Sequence, residues 1–193
     1  MAQAGYKSLI SYKLSQIAFD LGWDFVPIYY KKFEDSRQRD QIKQALRSYK
    51  QNIVEGSSER SLSSKLKLYD VAKASSMEAL EDFEDILRLE HLPKWSKDNP
   101  RLKKLRQIFE GYPFPNPSNP PVPPTTSAVS KVLGELGGKE GIEVVVNYLI
   151  DLLTRGGYLL DKQINAVEEK HQREGGYNEK LLRKRLEYKR SGY

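Results

Sequence analysis

The stretch Gln38–Ser58, QRDQIKQALRSYKQNIVEGSS, constrains the fold more than any other part of the chain. Two stripes run through it at helical spacing. Ile42, Ala45, Leu46, Tyr49 and Ile53 recur at intervals of three and four and so share one face of a helix. Arg39, Lys43, Arg47 and Lys50 recur in the same way and share another face. An amphipathic helix takes most of its stability from burying its apolar side, so the first stripe needs partner helices. The second needs water or an anionic partner. Gly56 stands where a left-handed C-cap is expected, because glycine takes positive φ at little steric cost. Beside it, Tyr49 lies on the core stripe, and Asn52 and Glu55 are expected to fix the joint by bonding to backbone groups.

The remaining long segments carry the same periodicity. Tyr6–Phe33 reads as a first helix through Leu9, Leu14, Ile17, Leu21, Phe25 and Ile28. Pro27 has no N–H and presses on the carbonyl four residues back, so a kink, or a division into two helices, is expected there. Asp35 or Ser36 is the expected cap of the second helix, and Ser61 that of a third running over 62–89. The third helix carries two stripes. One is Leu62, Leu66, Tyr69, Ser76, Leu80, Phe83 and Leu87; the other is Leu68, Val71, Ala72, Ser75, Ala79 and Ile86. Two stripes imply cover on more than one side.

Asp98-Asn99-Pro100 reads as a cap followed by proline at the first helical position of a short helix, Pro100–Phe109. Its basic face is Arg101, Lys103, Lys104 and Arg106. Seven of the ten prolines then fall within Gly111–Thr126, which excludes helix and central strand there and predicts a stiff, polyproline-like path. Ser127–Leu136 is ambiguous and Gly137–Gly141 reads as a turn. A fourth long helix runs to about Arg173 on Ile142, Val145, Val146, Leu149, Leu153, Leu160, Ile164 and Val167. Within it Gly156-Gly157 marks a weak point or a close backbone approach. Gly175-Gly176 ends it, and a basic helical tail follows.

These elements sum to an all-α fold, an antiparallel up-down four-helix bundle with a short inserted helix, a proline-rich loop and a C-terminal helical tail. The bundle spans 1–176, with the insertion at about 93–138, and residues 177–193 form a basic extension.

The net charge of +6 matters less than where the charge lies. Lys31–Lys50 holds seven basic residues against three acids, and Lys94–Glu110 and Tyr177–Tyr193 each hold six against two, so each segment carries +4. Glu78–Glu90 opposes them with six acids and one arginine. Segments of this kind suit a polyanion or an acidic partner, and equally suit solvated helix faces with pairing between subunits.

Most chemistries lack their parts. There is no cysteine, and His91 and His171 stand far apart, so neither a disulfide nor a zinc site is expected. No Glu-x-x-His pair suggests a di-iron bundle, and no nucleophile elbow is present. The run from Gly134 to Glu140 departs from a phosphate loop in its glycine spacing and in having Glu140 where Ser or Thr would hold magnesium. Glu78, Glu81, Asp82 and Asp85 could pair with a cation, but a solvated face is the expected use. Pro117–Pro120 and Pro120–Pro123 have the PxxP form, for which a rigid crossover is the expected role. No cofactor and no catalytic residue is expected. No run approaches the about 18 apolar residues of a membrane span, and no signal peptide is read, so a cytoplasmic protein is expected.

The best functional candidates are therefore cations. Arg39, Lys43, Arg47 and Lys50 form a row that could follow a phosphate backbone, helped by Arg101, Lys103 and Lys104 and by Arg183, Lys184 and Arg185. No aromatic platform accompanies the row, so single-strand stacking is not expected of it.

Arg39-Asp40-Gln41-Ile42, Ala45, Ser48, Asn52-Ile53-Val54-Glu55-Gly56 and Ser63-Ser64-Lys65, followed by Tyr69, Ala72 and Ser75, resemble the four-helix-bundle family of 23S rRNA intervening-sequence proteins. That family includes the accessory variability proteins of diversity-generating retroelements. The resemblance covers roughly residues 8–92. Gly157–Ile164 and Glu174–Tyr177 resemble its suffix-domain subgroup; the proline-rich insertion and basic tail depart from the short family pattern. The resemblance implies a homo-oligomeric ring, usually a pentamer, without catalysis. For the retroelement members it implies binding of nucleic acid and of a reverse transcriptase. A scaffold whose charged faces dock a protein partner is the alternative.

Overall fold

The computed structural model describes residues 5–110 and 138–191. The proline-rich path and the ambiguous Ser127–Leu136 segment fall outside the described residues. All regular structure among the described residues is helical.

A 3-10 turn, Gly5–Ser8, precedes α1, Ile10–Tyr29. The first helix is thus shorter at both ends than its periodicity predicts. It is one helix, with Pro27 inside its last turn, and the Tyr30 N–H closes onto the Val26 carbonyl at 2.9 Å. A proline so near the end forfeits only one backbone bond. α2 spans Ser36–Ser58, and the expected side-chain cap from Asp35 or Ser36 is not made. α3 spans Leu62–Leu89, with the Ser64 N–H donating to Ser61 Oγ at 3.3 Å as the sequence predicts. α4 spans Pro100–Glu110, and Asn99 Oδ1 accepts the Arg101 N–H at 2.8 Å. α5 runs unbroken over Gly138–Glu174, so the turn expected at Gly137–Gly141 is mostly helix and Gly156-Gly157 does not interrupt it. Gly175, at φ 75°, ends α5, and α6 covers Tyr177–Arg190.

The four long helices enclose one core, with α1 against α2 and α5, and α3 against α2 and α5. Residue pairs show opposite chain order along three of these couples. Lys43 and Lys50 meet Trp23 and Phe19 of α1. Ser48 and Gln38 of α2 meet Ser75 and Asp82 of α3. Lys73 and Glu90 meet Asp161 and Lys139 of α5. The molecule is an all-α helical bundle.

The core follows the stripes. Ile42, Ala45, Leu46, Tyr49 and Ile53 are all buried, as are Leu14, Ile17, Leu21 and Phe25 of α1 and Leu149, Leu153, Leu160 and Ile164 of α5. Each large side chain so buried contributes about 1.5–3 kcal/mol relative to exposure. The second stripe of α3 is covered only in part: Ala72, Ser75, Ala79 and Ile86 are inside, whereas Val71 is 47% exposed.

Two glycines in this core act through size rather than through backbone freedom. Gly56 is not the left-handed cap of α2; it lies inside the helix, where a Cβ would stand 2.7 Å from the Tyr69 ring. A left-handed residue does close α3: His91, at φ 55°, just past its end, where the Leu92 N–H reaches back to the Leu87 carbonyl at 2.8 Å. At Gly156 a Cβ would stand 2.1 Å from Tyr49 Oη. The close approach expected at Gly156 is therefore made by a side chain and not by another backbone.

Candidate nucleic-acid interface

The cationic row of α2 does not stand free. Its neighbours are on α1, which presents Phe19 and Trp23 one turn apart and Asp20 and Asp24 beside them. Lys43 Nζ sits 3.9 Å from the centroid of the Trp23 ring, and Lys50 Nζ sits 3.5 Å from that of Phe19. The two rings are 5.1 Å apart and tilted by 34°. Two aromatic rings of α1 thus lie beside the row, each with a lysine ammonium over it.

The same packing compensates charge. Burial pushes the Asp20 carboxyl above its ordinary pKa, with the Lys50 charge pulling the other way and Asp24 adding to the rise. Asp24 is raised by burial and opposed by Lys43. Lys50 is lowered by burial, which the Asp20 charge resists. Arg39 is spent locally, donating to the Tyr30 carbonyl at 3.3 Å with its Nε 3.9 Å from Asp40. Arg47 alone of the row is exposed and has no ion pair among the described residues.

α4 divides its cations between two sides. Lys103 and Lys104 are exposed without a carboxylate partner among the described residues. Arg101 lies 3.6 Å from Glu140 and over the Trp95 ring at 5.5 Å. Arg106, read from the sequence as part of the basic face, turns inward. It grips Asp151 through Nε at 3.0 Å and through Nη2, and donates to the Lys97 carbonyl at 3.2 Å. Arg155 joins Asp151 at 2.9 Å and Glu110 at 2.9 Å, and Glu110 accepts from Tyr148 at 3.3 Å. Asp151 is only 8% exposed, so this two-arginine, two-carboxylate network is a tie between α4 and α5. A second tie holds the link before α4. Asn147 accepts the Trp95 N–H at 2.7 Å and donates to the Pro93 carbonyl at 3.0 Å, while Trp95 Nε1 donates to Glu143 at 2.7 Å. Neither tie was legible beforehand, since the partners lie about fifty positions apart and share no local pattern.

The tail is the opposite case. Arg183, Lys184 and Arg185 are exposed, as are Lys189 and Arg190, and none has an ion pair among the described residues. α6 buries no residue.

The motif around Tyr49 is structural. Asn52 Nδ2 donates to the Ser48 carbonyl at 2.8 Å and to Ser48 Oγ at 3.0 Å, and Ser75 Oγ donates to Ser48 Oγ at 2.8 Å, linking α2 to α3. Glu55 departs from expectation: it accepts from Gln51 at 3.2 Å and touches no backbone group of the joint. The joint is held by Lys65 Nζ on the Ser57 carbonyl at 3.3 Å and by the Ser61 cap. Tyr49 Oη is fully buried without a hydrogen-bond partner among the described residues, and burial raises its pKa.

On α3, Asp82 accepts from Gln38 at 2.7 Å and Asp85 pairs with Arg88 at 2.7 Å, while Glu78 and Glu81 are exposed. Among the described residues no group of three or more His, Cys, Asp or Glu side chains could hold a metal ion. No helix among them is long and apolar enough to cross a membrane. No protein-family model, curated protein or solved structure matches this chain, so its class is that of its fold, an all-α helical bundle.

Proposed function

We propose that the protein is a non-catalytic, homo-oligomeric helical bundle of the cytoplasm that binds RNA or DNA through backbone charge, as an accessory to a reverse transcriptase or another nucleic-acid enzyme. The observation that carries this reading is the tail: five cations on α6, from Arg183 to Arg190, stand exposed with no carboxylate paired to them among the described residues. Lys103 and Lys104 of α4 and Arg47 of α2 extend the surface. Arg39, Lys43, Lys50 and Arg101 contribute less, because each already has a local partner. The resemblance of residues 8–92 to the intervening-sequence proteins supports the ring, of five subunits, and the absence of catalysis.

Binding that neutralises several phosphates releases counterions and weakens steeply with salt. Anisotropy of a labelled oligonucleotide at 50 mM and 200 mM salt is the test. Loss of affinity by about tenfold or more between them is expected. Failure to bind at the lower salt overturns the reading. Light scattering of the purified protein reports the subunit number.

A second reading is favoured by the outer face of α3. There Val71 and Met77, 47% and 55% exposed, lie among Glu78 and Glu81, a surface suited to a protein partner. Capture of a partner that survives nuclease treatment would support it.

A further inference from the structure

We propose that Trp23 is a base-stacking platform, and that the α1–α2 face around it is a subsite selective for single-stranded nucleic acid. The inference rests on the nucleic-acid reading above and adds to it which form of nucleic acid is preferred, and why. Trp23 is a large aromatic side chain, 43% exposed, on a surface helix. Phe19, one turn away and tilted by 34°, braces it. Lys43, Arg47 and Lys50 line the adjacent helix on successive turns, over about 10 Å. Rings interleaved with cations are the arrangement that holds unpaired bases, since every base has a π-face and every linkage a phosphate. In a duplex the base faces are already stacked on one another, and the ring has nothing to accept.

The charges that face the ring set the character of the site. Lys43 sits on it at 3.9 Å, Lys50 sits on Phe19 at 3.5 Å, and Asp20 and Asp24 flank both. The two carboxylates offset two of the three cations, so this face attracts phosphate weakly. It acts by stacking, whereas the tail acts by charge. An ammonium over an exposed ring is a weak contact, and a stacked base is a stronger one. A base therefore displaces Lys43 from the ring, and the freed amine moves to a neighbouring phosphate. Trp95 cannot play this part, because its indole N–H is held by Glu143 at 2.7 Å and its backbone by Asn147.

The test uses the full chain with a labelled dT12 strand and a twelve-base-pair duplex. Trp23→Ala is expected to weaken dT12 binding by about tenfold, in the range for one stacked base, and to leave duplex binding unchanged. Trp23→Phe should recover part of the loss. Indole emission should fall on adding dT12 to the native protein, and not in Trp23→Phe, where only Trp95 reports. Equal losses on strand and duplex, or no loss on either, overturn the subsite and leave the wider reading standing. Failure of the native protein to bind both overturns the wider reading, and the subsite with it. The competing occupant is a second copy of the chain. If Trp23→Ala lowers the mass by light scattering while circular dichroism is unchanged, the ring is a subunit contact and the proposal is overturned.

Discussion

Lys31–Lys50 and Tyr177–Tyr193 carry the same net charge, +4, and look alike as strings of letters. Folded, they differ in kind. The first lies largely in α2, whose other face is the centre of the core, so its cations are placed by the packing of α1 and meet Trp23, Phe19, Asp20 and Asp24. The second is α6, which buries nothing, and its cations from Arg183 onward are exposed with no ion pair among the described residues. A cation on a helix that must pack acquires partners; one on a helix that need not pack keeps its charge available. Stability should therefore live in the bundle and electrostatic affinity in the tail.

The largest test of that division is removal of the tail. A chain ending at Gly176 should bind a polyanion about 100-fold more weakly at low salt, with a shallower salt dependence, as loss of five or six cations implies. Its thermal midpoint should be unchanged, because no residue of α6 is buried. A drop in midpoint would mean that the tail supports the fold, and the contrast would fail.

Next in size is Gly156→Ala, which strikes the bundle alone. The new methyl would lie 2.1 Å from Tyr49 Oη and 3.3 Å from Cζ, in a core where Tyr49 has no room to retreat. Overpacking of this kind costs about 1–3 kcal/mol, from which the better helix propensity of alanine subtracts up to about 1 kcal/mol. A net loss of about 1–2 kcal/mol in urea unfolding is expected, with polyanion affinity unchanged at temperatures where the variant is folded. Tyr49→Phe removes a hydroxyl that has no partner among the described residues, so by itself it should not destabilise. Added to Gly156→Ala it should restore part of the loss. Failure of that rescue would place the strain elsewhere.

The elements were legible because local signals agree along the chain: Ser61 before a periodic run gave α3 its start, and Gly175 gave α5 its end. What was misread needed two segments at once. Gly56 reads as a left-handed cap because a missing Cβ serves either positive φ or close packing, and only the Tyr69 ring, thirteen positions on, decides between them. The cationic row reads as free because its partners are on α1, some twenty to thirty positions earlier. Their pattern was nonetheless present. Phe19 and Trp23, and Asp20 and Asp24, each repeat at i, i+4, and an antiparallel α2 sets Lys50 and Lys43 against them in that order. Matching stripes between successive helices would have found this face; reading each helix alone could not. Arg106 joined the outward face for the same reason, since Asp151 lies forty-five positions away.

A smaller effect asks whether charge compensation is what separates α2 from the tail. Replacing Asp20 and Asp24 together by Asn leaves Lys43 and Lys50 with less opposing charge, and polyanion affinity should rise by about fivefold, the scale of one or two surface charges in water. The pH dependence has a definite sign. Both carboxyls are raised by burial, so the folded state favours their protonated forms. Their contribution to stability is full below the unfolded value of 3.8 and is lost as pH rises through the folded values. In the double variant this acid-side decline should flatten in urea midpoints measured upward from about pH 3.5, just below where an unfolded aspartate titrates. Unchanged affinity would mean that the row is inert for reasons other than Asp20 and Asp24.

The smallest effect comes from the glycine next to the one that matters most. Gly157 lies one position past Gly156 in the same helix, but among the described residues a Cβ there would meet only Ser76 Oγ, at 3.7 Å, an ordinary contact. With no clash to oppose it, alanine should reduce the freedom of the unfolded chain and favour helix, raising stability by about 0.5–1 kcal/mol. Opposite signs at adjacent positions would show that the strain at Gly156 comes from Tyr49, which reaches across the core to α5, and not from α5 itself. A loss at Gly157 as large as that at Gly156 would mean that something further covers this side of α5. The natural candidate is a neighbouring subunit, and light scattering of Gly157→Ala, compared with the native protein, would reveal it.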